Sequence, residues 1–328
     1  MRPPRFLVTG AHGCIGAWVV HELLAAGHHV TTFDLSRDPR RLRLLLDDAT
    51  LATVPHVAGD ITDLPQLEQV LEEHAISNVI HLAALQVPFC RADPPLGARV
   101  NVLGTVNVFE AVRRRPGVTA PVVYASSVAA YDALEEQAQP SMTGHPGTLY
   151  GVFKRANEST ASVYLEENGV SSLGLRPHTV YGPGRDQGLT SAPTTAMLAA
   201  AAGVAYRIPY GGAAQLQYAL DVARAFVAAS LSGYEGASVH NLPGVRVSIV
   251  EVVAAITAAA PESAGTIDSD DLVLPFPEEV DSGSFDEIAP GLSGTPLADG
   301  VRATIERFRT LLSEGLLEAP APDPKAVR

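Results

Sequence analysis

"RFLVTGAHGCIGAWVVHELLAAGHHVTTFD", residues 5–34, decides the fold. "FLV" is a short buried strand, and "AWVVHELLAAG" carries apolar residues at helical spacing and stops at Gly27. "HHVTTFD" then begins a second β-branched run. Between strand and helix stand Gly10, Gly13 and Gly16, in Gly-x-x-Gly-x-x-Gly spacing. Glycine lets the turn adopt φ > 0, lets backbone N–H groups reach a pyrophosphate, and lets the helix approach the strand. The helix N-terminus adds the positive end of its dipole. A glycine triplet alone is also what a plain tight turn would show. Its place between strand and helix, with Asp34 closing the second strand, makes it a dinucleotide-binding turn. Asp34 stands where it can accept from both ribose hydroxyls. A carboxylate there repels a 2′-phosphate and favours NAD over NADP, with Arg37 nearby pulling weakly the other way.

The same alternation continues along the chain. "HVAGDITD" at 56–63 is followed by the helical "PQLEQVLEEH", which leads into "NVIHLAA" at 78–84. "ARVNVLGTVNVFEAVRR" at 98–114 is a strong helical pattern and precedes "APVVYASS" at 120–127. Strands alternating with helices imply an α/β fold: a doubly wound parallel sheet, or Rossmann fold, with helices on both faces. Ligands in such sheets bind beyond the carboxyl ends of the strands, where the order switches. Ser127 falls at one such end.

Composition narrows the classes. The 328 residues suffice for one large domain or two smaller ones, and 46% hydrophobic with 18% charged residues describes a globular chain. A formal charge of −13 argues against a nucleic-acid partner. Cys14 and Cys90 are the only cysteines, too few for a disulfide framework, and no His/Cys/carboxylate cluster has metal spacing, so no metal is assigned. The chain opens "MRPPRFLVTG" without a signal-peptide apolar run, and "AMLAAAAGVAY" at 196–206 is too short to span a bilayer. The expectation is a cytoplasmic protein without membrane contact.

"TLYGVFKRANE", 148–158, places Tyr150 and Lys154 one helical turn apart. The pair alone is equally an ordinary helix face or a phenol held beside an ammonium. The wider set of motifs decides. "GAHGCIG", Asp34, "GDITD", "HLAA", Asn101 in "VNVLGT", "YASS", "YGVFK", "RPHTVYGP", "YALDVARAF", "NLPG" and "TPLADGVRATIERF" together resemble the extended short-chain dehydrogenase/reductases, in their NAD-dependent epimerase/dehydratase branch. The resemblance covers nearly the whole chain.

That resemblance implies that Tyr150 is the general acid/base that exchanges a proton with the substrate carbinol. A phenol titrating near 10 is a poor base at neutral pH, and a nearby ammonium would bring it toward the working range. Lys154 would supply this charge and hold the nicotinamide ribose, while Ser127 would orient the reacting oxygen. Cofactor contacts carried over in the same way are Gly10, Gly13, Cys14, Ile15, Gly16, Asp34, Leu35, Asp60, Ile61, Leu82, Ala83, Ala84, Asn101 and Pro177. Asn101 reads either as a buried residue that fixes the active-site backbone or as a solvated asparagine. His81 reads as a hydrogen-bonded core histidine. Substrate contacts would come from Gln86, Ser127, Thr179 and Arg185. The family's usual homodimer would pair helices 98–114 and 149–167, whose Val102, Val106, Phe109 and Val163 suit that packing or the subunit's own sheet.

Residues 1–176, completed by 218–242, are expected to form the NAD-binding domain. Residues 177–217 and 243–318 would form a smaller substrate lobe, and 319–328 a disordered tail. In the lobe the chain departs from nucleotide-sugar epimerases. Thr179 replaces their usual asparagine, "AQLQYALD" lacks their arginine, and no lysine or arginine stands between Arg246 and Arg302. A buried diphosphate without cations is costly. The expected substrate is therefore a smaller sugar or sugar-like molecule, epimerised with retained NAD. The alternatives are a sugar or polyol dehydrogenase with exchanging NAD, and a nucleotide-sugar epimerase. A non-enzymatic NAD-sensing module needs a disrupted Ser/Tyr/Lys set, and here the set is intact.

Overall fold

The computed structural model describes residues 3–131, 146–274 and 277–321. The expected tail lies outside these residues from 322 onward. Seven strands form one parallel sheet: β1 (Arg5–Thr9), β2 (His29–Asp34), β3 (His56–Ala58), β4 (Asn78–His81), β5 (Val122–Ala125), β6 (Ser172–Arg176) and β10 (Ala237–Asn241). Their order across the sheet is β10-β6-β5-β4-β1-β2-β3. The direction of winding switches between β1 and β4, which pair in parallel with Val8 opposite Ile80. Both faces of strands such as "FLV" and "VVY" are buried, as a helix-covered parallel sheet requires.

The stretch "LGLRPHTVYG" carries the end of one strand and the whole of another. β6 ends at Arg176, Pro177 supplies no N–H for a ladder, and Thr179–Tyr181 restarts as β7 in a different sheet. β7 pairs in parallel with β9 (Ala213–Tyr218), which pairs antiparallel with β11 (Val245–Ser248). A third, two-stranded sheet joins β8 (Tyr206–Ile208) to β12 (Ile267–Ser269). β10 and the helix before it return to the main sheet, beside β6. One hydrophobic cluster runs from Phe6 and Val8 under the sheet to Ile256, Val301 and Phe308. The carboxyl-terminal segments thus share a core with the strands they cover.

Eight helices of ten residues or more are present among the described residues. They are α1 (Cys14–Ala25), α2 (Leu64–Glu73), α3 (Gly104–Arg113), α4 (Leu149–Asn168), α5 (Ala192–Ala202), α6 (Ala219–Leu231), α7 (Ile249–Ala259) and α8 (Leu297–Ser313). None is long and apolar enough to cross a membrane. The helical pattern at 98–114 is not one uniform α-helix: Arg99–Leu103 is a π-turn that runs into α3. Of the residues considered for a dimer face, Phe109 is fully buried on its own sheet, edge-on to Tyr124 at 5.9 Å and stacked on Tyr164 at 5.2 Å. Val163 is exposed, as are Leu103 and Val152.

Candidate active site

The singled-out residues gather at the carboxyl ends of β1–β6. Gly10 follows β1 with φ +67°, and its N–H donates to the Phe33 carbonyl at 2.9 Å. A Cβ at Gly10 would lie 2.5 Å from the Ala83 nitrogen, and one at Gly16 only 2.2 Å from the Gly10 carbonyl oxygen. The turn is therefore closed to larger residues by backbone on two sides. Gly13 is the N-cap of α1 and offers no side-chain acceptor, so no side chain caps the first-turn N–H groups. Cys14 and Ile15 begin this helix, half-buried, and burial pushes the Cys14 thiol up to about 11, leaving it protonated.

At the end of β2, the Asp34 carboxylate accepts from the His12 N–H and the Ser36 N–H, each at 2.9 Å. Two backbone donors leave further lone pairs for a diol. Leu35 beside it is 76% exposed. Asp60 is also exposed, and its Oδ1 accepts from the Thr62 N–H and hydroxyl at 2.9 and 2.8 Å. Ile61 is buried against Gly104. Leu82, Ala83 and Ala84 leave β4 half-buried, with the Leu82 N–H bonded to the Thr9 carbonyl at 3.0 Å.

Asn101 is buried and spends its side chain on Leu85: Oδ1 accepts from that N–H at 2.7 Å, and Nδ2 donates to that carbonyl at 2.9 Å. It shapes the loop after β4 from behind. His81 bonds Thr9 at 2.7 Å and Thr105 at 3.1 Å, and burial drives it down to about 3, so the ring is neutral.

Ser127 follows β5, with its hydroxyl accepting from the Ala129 N–H at 3.1 Å. Tyr150 hydrogen-bonds the same hydroxyl from the first turn of α4. The sequence signal for this approach is Gly151, where a Cβ would sit 2.0 Å from the Ala129 carbonyl oxygen. Only glycine lets α4 come so near the segment after β5. Burial pushes the Tyr150 phenol up, and the Ser127 hydrogen bond and the Arg185 charge oppose it. Lys154 is buried, donates to the Ala125 carbonyl at 2.6 Å, and lies 5.5 Å from the Tyr150 ring centroid. Burial lowers its ammonium to about 8. Arg185 is thus the cation whose charge favours the phenolate, a role sequence spacing did not reveal, while Lys154 stands against the phenol ring.

Gln86, Thr179 and Arg185 stand apart in character. The Gln86 amide oxygen faces Gly188, and Thr179 is buried in β7 beside His178. Arg185 donates to the Thr190 hydroxyl at 2.8 Å, while its buried Nε has no hydrogen-bond partner among the described residues; the same holds for the Tyr210 hydroxyl. Pro177 is buried, and its carbonyl accepts from Val128. Arg41 was not foreseen. It donates to the His12 carbonyl at 2.9 Å and pairs with Asp186 at 2.7 Å, tying the glycine turn to the loop after β7.

A family model described as "NAD dependent epimerase/dehydratase family" matches residues 6–241. The UDP-glucose 4-epimerase of Mycolicibacterium smegmatis is 31% identical over 321 residues, spanning 93% of this chain and 98% of that protein. The chain belongs to the NAD-dependent epimerase/dehydratase family. UDP-glucuronate 4-epimerase 6 of Arabidopsis thaliana is 32% identical over 183 residues, a match spanning 54% of this chain and 40% of that plant protein. The solved UDP-glucose 4-epimerase of Thermus thermophilus, in complex with NAD, superposes with a TM-score of 0.75 and 27% identity, covering 93% of this chain and 99% of that one. Membership in this family makes the protein an NAD-dependent enzyme of the extended short-chain dehydrogenase/reductase type. The site fits that cofactor: the glycine turn is a cradle that a Cβ would fill, and Asp34 offers open acceptors.

Proposed function

We propose that the protein is a sugar epimerase that oxidises a secondary alcohol of its substrate with NAD and reduces the ketone again from the other face. The observation that carries the reading is the joint placement of Tyr150, Ser127 and Lys154 at the carboxyl end of β5. NAD, when bound, supplies the hydride acceptor. Gly10, Gly13 and Gly16 with the first turn of α1 would hold its pyrophosphate, and Asp34 its adenosine ribose. Tyr150 takes the carbinol proton and later returns it, Ser127 orients the oxygen that carries it, and Lys154 and Arg185 favour the phenolate.

For the substrate, we infer a sugar or sugar acid without a nucleotide diphosphate. Arg207 of the lobe is already paired with Asp268 at 2.7 Å and Asp270 at 3.3 Å, and Arg246 with Glu278. Neither is left to balance a diphosphate. A second reading, a nucleotide-sugar epimerase, is favoured by the full-length likeness to a UDP-glucose 4-epimerase and by the Arg185 Nε, which has no partner among the described residues. Thermal melting of the NAD-loaded protein separates the two. A ligand at a hundred times its Kd adds about 2.7 kcal/mol of stability. Free sugars or uronates are expected to raise the melting temperature and UDP to leave it unmoved; a shift with sub-millimolar UDP would replace the first reading by the second.

A domain division at 176/177, with 218–242 returning to the NAD-binding part, belongs to the same proposal, as do a cytoplasmic location and a homodimer. The exposed Leu103, Val152 and Val163 supply the dimer's apolar face. A monomer by light scattering at micromolar concentration would count against it.

A further inference from the structure

Helix α4 carries a buried acid that none of the steps above uses. Tyr150, Lys154 and Glu158 follow at four-residue intervals and share one face of the helix. Glu158 is 4% exposed and accepts three hydrogen bonds: from Nε and Nη2 of Arg176, each at 2.7 Å, and from the Ser126 hydroxyl. Arg176 ends β6, and Ser126 immediately follows β5, its N–H bonded to the Leu175 carbonyl at 2.7 Å. One turn earlier, Lys154 holds the Ala125 carbonyl at 2.6 Å. Two successive turns of α4 therefore grip the segment Ala125–Ser127, whose last residue bonds Tyr150. The set extends further. The Arg176 guanidinium lies 4.4 Å from the Tyr131 ring centroid, the Tyr131 hydroxyl donates to Asn241 at 2.9 Å, and Asn241 donates to the Asp281 carbonyl at 2.7 Å.

Burying an ion pair is a weak source of stability, because desolvation offsets most of the attraction. The partners chosen here point to a different use. We propose that Glu158 is a positioning residue of the active site: through Ser126 and Arg176 it fixes the strand end that presents Ser127 and the carbonyl that anchors Lys154. Its charge also acts on the lysine. The titratable groups that face the Lys154 ammonium are Tyr150 on α4, Cys90 on the short helix Val87–Ala92, His81 on β4, and Glu158. Burial pushes Tyr150 and Cys90 up and His81 down, so each of these three stays neutral near pH 7. Burial lowers the Lys154 ammonium, and Glu158 works against that loss.

The effect on turnover rests on the hydride-transfer reading, but the first measurement does not. The chain has two lysines, Lys154 and Lys325. Isotope-labelled lysine therefore gives two side-chain signals in the NAD-loaded protein, and Lys325→Arg assigns them. In Glu158→Gln the Lys154 titration is expected to move to lower pH by about one unit, a tenfold change in proton affinity. With any sugar that supports turnover, kcat should fall about tenfold and its alkaline limb should move the same way, with KM and bound NAD unchanged. Glu158→Gln leaves Arg176 uncompensated, so Glu158→Gln/Arg176→Met, which removes both charges, is the second variant. It is expected to fold and to keep the displaced titration. An unmoved Lys154 titration in either folded variant overturns the proposal. So does wild-type turnover in the double variant, which would reduce the pair to a folding device.

Discussion

Around the carboxyl ends of β1–β6, polar groups keep open hydrogen-bonding capacity, whereas in the lobe two arginines are already paired and one keeps an open donor. The first turn of α1 has no side-chain cap, and Asp34 meets only two backbone donors. In the lobe, Arg185 keeps a buried Nε without a partner among the described residues. By contrast, Arg207 meets two carboxylates and Arg246 one. Unspent donors and acceptors mark where a polar ligand replaces water at little cost, since leaving such groups buried without a partner is unfavourable. The cofactor end thus has open groups for phosphates and a diol, and of the lobe arginines Arg185, Arg207 and Arg246, Arg185 alone keeps an open donor.

The largest expected effect breaks the cofactor side of this contrast. Gly16→Ala should abolish NAD binding, although alanine is the better helix former by about 1 kcal/mol. Its Cβ would strike the Gly10 carbonyl oxygen. Gly27→Ala, at a left-handed glycine with open space around it, should cost about 1–2 kcal/mol in melting and leave NAD in place. Equal NAD content in the two purified variants would remove the turn from the site.

Next in size is Tyr150→Phe, which should lower turnover by about 10²–10⁴-fold with NAD still bound, because only the proton-transfer group is lost. Turnover in the wild type should fall as pH rises through about 8. There the Lys154 ammonium, its pKa lowered by burial, deprotonates and ceases to favour the phenolate. A rate that keeps rising beyond pH 9 would mean that the ammonium is not needed. Asp34→Ala should weaken NAD by about tenfold and narrow its preference over NADP, measured by calorimetry with both; an unchanged ratio would show that Asp34 does not reach the ribose. Smallest is Arg207→Ala. It removes a partly exposed pair and should change stability by less than about 1 kcal/mol, with no change in substrate KM. A large KM increase would place Arg207 at the substrate site.

The cofactor end was legible because its signals are local. Glycine spacing, a strand, a helix start and an acid at the next strand end all fall within residues 5–34, and the topology brings the later strand ends of the seven-stranded parallel sheet to the same edge. The Tyr150–Lys154 spacing was legible for the same reason. What escaped depends on contacts between distant segments. Arg41 meets Asp186 across 145 positions, and Arg176 meets Glu158 between β6 and α4. The restart of the chain at Thr179 in a second sheet follows from a partner strand at 213–218 that periodicity does not announce. Asp60 shows another such local signal: its motif position was clear, and Thr62 bonds one carboxylate oxygen, Oδ1. The substrate class is least legible, because it depends on which lobe arginines are neutralised, and that is decided by acids up to 63 residues away.

The central claim is that a secondary alcohol of a sugar is oxidised by NAD held over β1–β6 and the ketone is reduced again on the opposite face. Mixing NAD-loaded protein with free sugars and uronates, and following nicotinamide absorbance together with the product's configuration, tests it most directly. The account predicts transient NADH, an epimerised product that retains a deuterium placed on the reacting carbon, and no NADH in Tyr150→Phe. Epimerisation without any NADH, or with that deuterium lost to solvent, would contradict it.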